Sequence, residues 1–268
     1  MNNATIRRGW PAHGAAVLDD AQLDECYAVS ESSKQSLRVN FVSSIDGAAT
    51  DHGRSGGLSN AADKRVFDLL RRQSDVILVG AGTVRVEGYG AMRLDPASVQ
   101  WRRASGLPDQ PVFAIVSGTL GLDPESAVFI NAPVRPIVVT VGAAPRGKKE
   151  AFSRAADVLV CGEEALDVSV MLDAFAKRGL RHVLCEGGPT LFGTLLDADR
   201  VDELCITISP SIEGGDAHRI VAGTPEKARS MTLRHVLVSG DTLMLRYLRV
   251  VSRALAGTTS TLDAKLVQ

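Results

Sequence analysis

The chain has 268 residues, 45% hydrophobic and 23% charged, with a formal net charge of −1. That length and apolar content suffice for a full buried core. A near-zero charge with only 4% aromatic residues excludes a basic, ring-lined nucleic-acid surface. The amino-terminal residues are polar and basic, and the longest apolar runs are strand-sized, so no secretion signal, no membrane partner and a cytoplasmic location are expected.

In chain order, residues 1–35 read as a polar N-terminal extension with a short helix over 19–28. Residues 38–43 read as a strand. Over 61–72, apolar Val66, Leu69 and Leu70, with Phe67 beside them, recur at helical spacing, and Asn60 is the N-cap. Short apolar strands follow at 76–80, 112–116, 136–140 and 158–160, with helices over 148–155 and 168–177 between and after them. Gly179 suits the stop of the last helix. A helix over 191–196 and a strand over 203–209 come next, then strands over 232–238 and 242–250 joined by the turn Ser239-Gly240-Asp241. Continuous apolar strands alternating with helices predict an α/β fold: a mostly parallel central sheet flanked by helices, with an antiparallel edge. The alternation runs unbroken, so residues 36–253 are expected to form one domain and 254–268 a mobile tail. Cys26, Cys161, Cys185 and Cys205 form no CxxC pair and are expected as buried thiols. The five histidines are scattered, so no metal site is expected, and His182 reads as a satisfied strand residue.

The segment from His182 to Leu191 is the richest in chemistry. A buried strand runs into Glu186, then Gly187, Gly188 and Pro189, and a helix starts near Thr190. Paired glycines let a backbone pass close to a ligand, and proline suits a first helical turn. Free N–H groups and the helix dipole there favour a phosphate, with a carboxylate beside it. An ordinary strand–turn–helix connection is the plainer alternative. Asp46-Gly47 ends the first strand of the alternating region, and Gly80-Ala81-Gly82-Thr83 forms a tight exit from the next, with Thr83 able to cap a following turn. The third glycine of a GxGxxG fingerprint is absent. Arg71 and Arg93 are the arginines able to fork onto a substrate phosphate, whereas Arg72 reads as a solvated charge.

Four segments stand in an order and spacing that resemble one family: Asn40 to Gly47, Leu69 to Asp75, Gly80 to Glu87, and Glu186-Gly187-Gly188-Pro189-Thr190-Leu191. The family is the riboflavin-biosynthesis reductase, the C-terminal half of the bifunctional deaminase–reductase. Val201-Asp202-Glu203-Leu204 and Gly214-Gly215-Asp216-Ala217 resemble its closing pattern. The resemblance covers about residues 37–250. It implies a dihydrofolate-reductase-like fold, a homodimer, NADPH as hydride donor, and reduction of a phosphorylated ribosylamino-pyrimidine to the ribitylamino product. By this resemblance Val42, Thr83, Glu87, Ser117 and the turn 188–194, with Gly187, Gly188, Pro189, Thr190 and Leu191, would hold NADPH. Ser55, Arg71 and Arg93 would meet the substrate's phosphate end, and Glu186 the substrate itself. Asp46 and Glu186, both at strand ends, are the catalytic candidates, either of them able to position or relay the proton.

Two departures stand out. Residues 1–35 contain neither motif of the zinc deaminase that precedes the reductase in the bifunctional protein, so a reductase half or a stand-alone relative is expected. Tyr89-Gly90-Ala91-Met92 replaces the family's usual Asp-Asp-Pro continuation. Two alternatives therefore stay open: a stand-alone reductase of dihydrofolate or another pteridine, and a non-catalytic nucleotide-binding sensor on the same fold.

Overall fold

The computed structural model describes residues 4–11, 16–29 and 34–250, so the expected tail at 254–268 lies outside the described residues. The elements are β1 (Arg7–Trp10), α1 (Asp20–Tyr27), β2 (Ser36–Ser43), a 3₁₀ turn (Ser55–Gly57), α2 (Ala61–Arg72), β3 (Val76–Gly80), α3 (Ala81–Glu87), α4 (Pro96–Ala104) and β4 (Val112–Val116). They continue with α5 (Ala127–Ile130), β5 (Ile137–Thr140), α6 (Arg146–Ala155), β6 (Asp157–Val160), α7 (Val168–Ala176), β7 (His182–Cys185), α8 (Pro189–Asp197), β8 (Glu203–Ile208), β9 (Met231–Ser239) and β10 (Thr242–Arg249). All but β1, the 3₁₀ turn, α3, α4 and α5 coincide with the expected elements to within a few residues. One detail is corrected: Thr83 caps nothing, because α3 begins directly after β3, with Gly80 at its N-cap and Thr83 inside it.

The ten strands form one sheet in the order β1-β9-β10-β8-β2-β7-β3-β4-β5-β6. The run from β8 to β6 is parallel, and β8, β10, β9 and β1 are antiparallel. The mostly parallel sheet with an antiparallel edge is thus present, and the edge is longer than a hairpin. Alternation along β3 explains the layers. Ile77 and Val79 face one core with Leu69 and Leu70 of α2, while Val76 and Leu78 face the other with Leu172 of α7 and Leu195 of α8. All four β3 residues are fully buried, and each such side chain contributes about 1.5–3 kcal/mol.

The polar N-terminal segment is built into this frame. β1 pairs with β9. Asp19 and Gln22 form a capping box that starts α1, and Leu23, Cys26 and Tyr27 enter the core beside α2. The three central strands β2, β7 and β3 are neighbours, so their carboxyl ends meet. In parallel sheets that is where ligands bind.

Candidate active site

A cleft of about 240 Å³ opens over those strand ends, walled by Phe41 and Val42 of β2, Lys64 and Phe67 of α2, Thr83 and Glu87 of α3, and Tyr89, Glu186 and Gly188. A second hollow of about 320 Å³ shares Thr83, Glu87, Gly188 and Pro189 with it and extends along Gly80, Gly82, Thr190 and Leu191. The two form one continuous groove.

At its floor, the Glu186 side chain is 1% exposed. The Arg71 guanidinium donates to both of its oxygens, Nε to Oε1 at 2.6 Å and Nη2 to Oε2 at 2.7 Å. The Tyr89 hydroxyl donates to Oε2 at 2.9 Å. Arg71 lies 4.2 Å from the centroid of Phe67, and Tyr89 stacks on Phe113. Burial opposes the charge on Arg71, but Glu186 outweighs it and raises its pKa. Burial first, then Glu186, pushes the Tyr89 hydroxyl upward, so it stays a donor.

The turn after Glu186 is narrow. Gly187 has φ +95° and its peptide bond to Gly188 is cis. A Cβ at Gly187 would come within 2.9 Å of the Phe41 ring, and one at Gly188 within 2.5 Å of Thr83 Oγ1. The Gly80 amide donates to the Gly187 carbonyl at 2.8 Å, tying the two strand exits together. Gly188 is the N-cap of α8 and supplies no side chain, with Pro189 next. The amides of Thr190 and Leu191 in that first turn thus have no partner within the helix. A helix start of this kind favours an anion, and Thr190 and Leu191 line the groove.

Of the residues singled out in the sequence, Val42, Ser55, Thr83, Glu87, Glu186, Gly188, Pro189, Thr190 and Leu191 line this groove. Glu87 Oε1 accepts the Ser55 amide at 2.9 Å, which seats the 3₁₀ turn on α3. Arg71, Gly187, Ser117, Arg93 and Asp46 are not among its walls. Arg71 sits behind Glu186, Gly187 packs on Phe41, and buried Ser117 follows β4, accepting the Gly121 amide at 3.4 Å. Arg93 is exposed and donates to the Asn131 carbonyl at 3.3 Å. Asp46 accepts from the Ser44 hydroxyl and from the amides of Glu213 at 3.2 Å and Gly214 at 2.8 Å. Those donors, Ser44 foremost, lower its pKa to about 2. Sequence reasoning missed Phe41, Lys64 and Phe67. The signal was available for the last two, since Lys64, Phe67 and Arg71 share one face of α2 at spacings of three and four.

Among the described residues, no group of histidines, cysteines or acids could hold a metal ion. All four cysteines are buried free thiols.

Sheet order and groove together define an α/β protein of the dihydrofolate-reductase-like class. Within it, the chain belongs to the RibD C-terminal domain family, whose sequence profile matches residues 35–245. It is 32% identical over 178 residues to the 2,5-diamino-6-ribosylamino-4(3H)-pyrimidinone 5′-phosphate reductase of Archaeoglobus fulgidus, covering 66% of this chain and 81% of that one. It is 29% identical over 214 residues to the protein of the same name from Methanothermobacter thermautotrophicus, covering 78% and 95%. In fold it is similar to a pyrimidine reductase-like protein of Corynebacterium diphtheriae, with a TM-score of 0.78 at 24% identity over 85% of this chain and 98% of the other.

Proposed function

We propose that this chain reduces a ribosylamino-pyrimidine 5′-phosphate to its ribitylamino product in riboflavin biosynthesis, with NADPH as the hydride donor. The archaeal relatives carry that substrate in their names. The observation that carries the reading is the uncapped start of α8, which opens onto the same groove as Glu186. The glycine cradle fits a dinucleotide, because the α8 start has free amides, and only a glycine at 188 leaves Thr83, whose hydroxyl a Cβ would meet at 2.5 Å, in its place beside them.

Thr83, Glu87 and the α8 start would hold the cofactor, and Ser117 the far side of its adenosine. Bound NADPH supplies the hydride. Overall the substrate gains one hydride and one proton: the ribose C–O bond opens, the carbon takes the hydride and the released oxygen the proton. Glu186, fixed by three donors, orients the pyrimidine ring edge, and Phe41 and Phe67 exclude water from that end. Asp46 acts at one remove, fixing the 213–214 loop through the amides of Glu213 and Gly214. The protein works in the cytoplasm as a homodimer. No helix among the described residues is long and apolar enough to cross a membrane.

The test is NADPH consumption with the deaminated and non-deaminated pyrimidine phosphates and with dihydrofolate. Turnover of either pyrimidine well above dihydrofolate supports the reading. Preference for dihydrofolate favours a pteridine reductase, and no oxidation with any of them a sensor. Gly188→Val should weaken NADPH binding at least about 10-fold in a fluorescence titration, about 1.4 kcal/mol. Wild-type affinity in a variant that is folded by circular dichroism would refute the cradle.

A further inference from the structure

A phosphorylated substrate needs a cation for its tail, and the two arginines that the family resemblance offers are engaged elsewhere. Arg71 spends Nε and Nη2 on Glu186, with its side chain 18% exposed behind that carboxylate. Arg93 faces away, bonded to the Asn131 carbonyl. The basic side chain that does line the cleft is Lys64. It is exposed, and its ammonium makes no hydrogen bond or ion pair with any described residue.

Position supports the same assignment. Lys64, Phe67 and Arg71 lie along one face of α2. At 1.5 Å rise per residue, Lys64 stands roughly 10 Å from Arg71 along the helix axis. That separation suits a pyrimidine at Glu186 whose extended sugar chain passes Phe67 and ends in a phosphate. The Ser55 hydroxyl, which has no partner among the described residues, lines the same cleft. Besides Glu186 two carboxylates line the cleft, each held by one hydrogen bond: Asp63 Oδ2 accepts the Ser59 hydroxyl at 2.6 Å, and Glu87 Oε1 accepts the Ser55 amide at 2.9 Å.

We propose that Lys64, with the Ser55 hydroxyl, receives the 5′-phosphate and sets the preference for phosphorylated substrate, while Arg71 acts on the ring end only through Glu186. This assignment rests on the reductase reading above.

The experiment compares kcat/KM for the phosphorylated pyrimidine and for its dephosphorylated nucleoside in three variants. Lys64→Ala should shrink the ratio between the two substrates by about 10- to 100-fold, mainly through KM, as expected for loss of one charge-assisted contact. Lys64→Arg should keep most of the ratio. Arg71→Gln should lower both substrates alike and leave the ratio within about twofold. A Lys64→Ala ratio equal to wild type, or a collapse of the ratio in Arg71→Gln, overturns the assignment. If the wild-type protein reduces neither compound, the reductase reading itself falls. Lys64 is an exposed position of α2, where alanine is favoured, so the variant folds.

Discussion

His235 is 4% exposed, and its ring meets Tyr27 edge-on at 4.9 Å. Burial, then the neighbouring Arg246 and Arg8, lower its pKa to about 3. The fold therefore holds the imidazole neutral, while the unfolded chain protonates it below about 6.5. Between those values the unfolded state binds more protons, so the stabilisation is complete above about 6.5 and is lost as pH falls toward about 3. His235→Phe keeps a ring against Tyr27 and removes the proton. We expect the drop in Tm from pH 7 to pH 5 to shrink in that variant, by calorimetry. An unchanged drop would mean that other groups govern it. The same scale shows what residues alone reveal. Glu186 was legible because the backbone of its strand exit delivers it to the groove. The strand-end rule recommends Asp46 equally, yet its carboxylate binds amides at Glu213 and Gly214, far along the chain. Nothing local announces that partner, nor that Glu186 would occupy Arg71.

Elements were legible wherever their inward faces are apolar, as in β3 and β4. Helix α4, which escaped, buries polar groups instead, while α3 and α5 are too short to show a periodic stripe. Helix α4 has a readable start, with Asp95 capping the amides of Ala97 and Ser98 before Pro96 takes the first turn. Its buried residues are Ser98 and Arg102, so no apolar stripe marks it. The Arg102 guanidinium donates to the carbonyls of Arg72 and Ser74, at 2.9 and 2.6 Å. Likewise β1, Arg-Arg-Gly-Trp, is a strand because β9 pairs with it. A buried charge cluster fastens α1 to the sheet. Glu203 accepts Arg246 Nη2 at 2.8 Å and pairs with Arg38 Nε. The two arginines donate in turn to the carbonyls of Cys26, Tyr27 and Ala28 at the end of α1. Burial works against the charge on Glu203, but Arg38 and Arg246 outweigh it and its pKa is lowered. Glu203→Gln leaves two buried guanidinium groups without a countercharge. We expect a loss of about 3–5 kcal/mol, and faster proteolysis within residues 20–27 as α1 detaches. A Tm within a degree of wild type would show that the cluster is not the fastening.

At the scale of the molecule, the antiparallel lobe leaves one face poorly covered. Cys205 and Thr207 point into the protein, so Leu204, Ile206 and Ile208 point the other way and are half-buried. Their partners on β10 are Tyr247, Leu245 and Leu243, and beyond Leu245 and Leu243 lie Val236 and Val238 of β9. Trp10 extends the apolar surface and is 47% exposed. The homodimer that the family resemblance implies needs a surface to form it, and an uncovered strand edge would be one. β1 already covers that side of β9, so the contact we propose uses the sheet face. A contiguous apolar face of this kind marks an association surface, and a two-fold pairing of identical faces is the commonest way to bury it. The face also reaches the groove, since Ile206 is in register with Phe41, which walls the cleft and stacks on Phe192. Loss of the partner should therefore loosen Phe41 as well. Leu245→Glu places a charge at the centre of the face without touching either buried core. At micromolar concentration, light scattering should give the wild-type protein twice the chain mass of 28.4 kDa and the variant a single chain mass, with a raised KM for substrate. A wild-type protein that scatters as one chain would remove the dimer. A dimeric variant with unchanged KM would move the contact to another surface and leave Phe41 to be held by Phe192 alone.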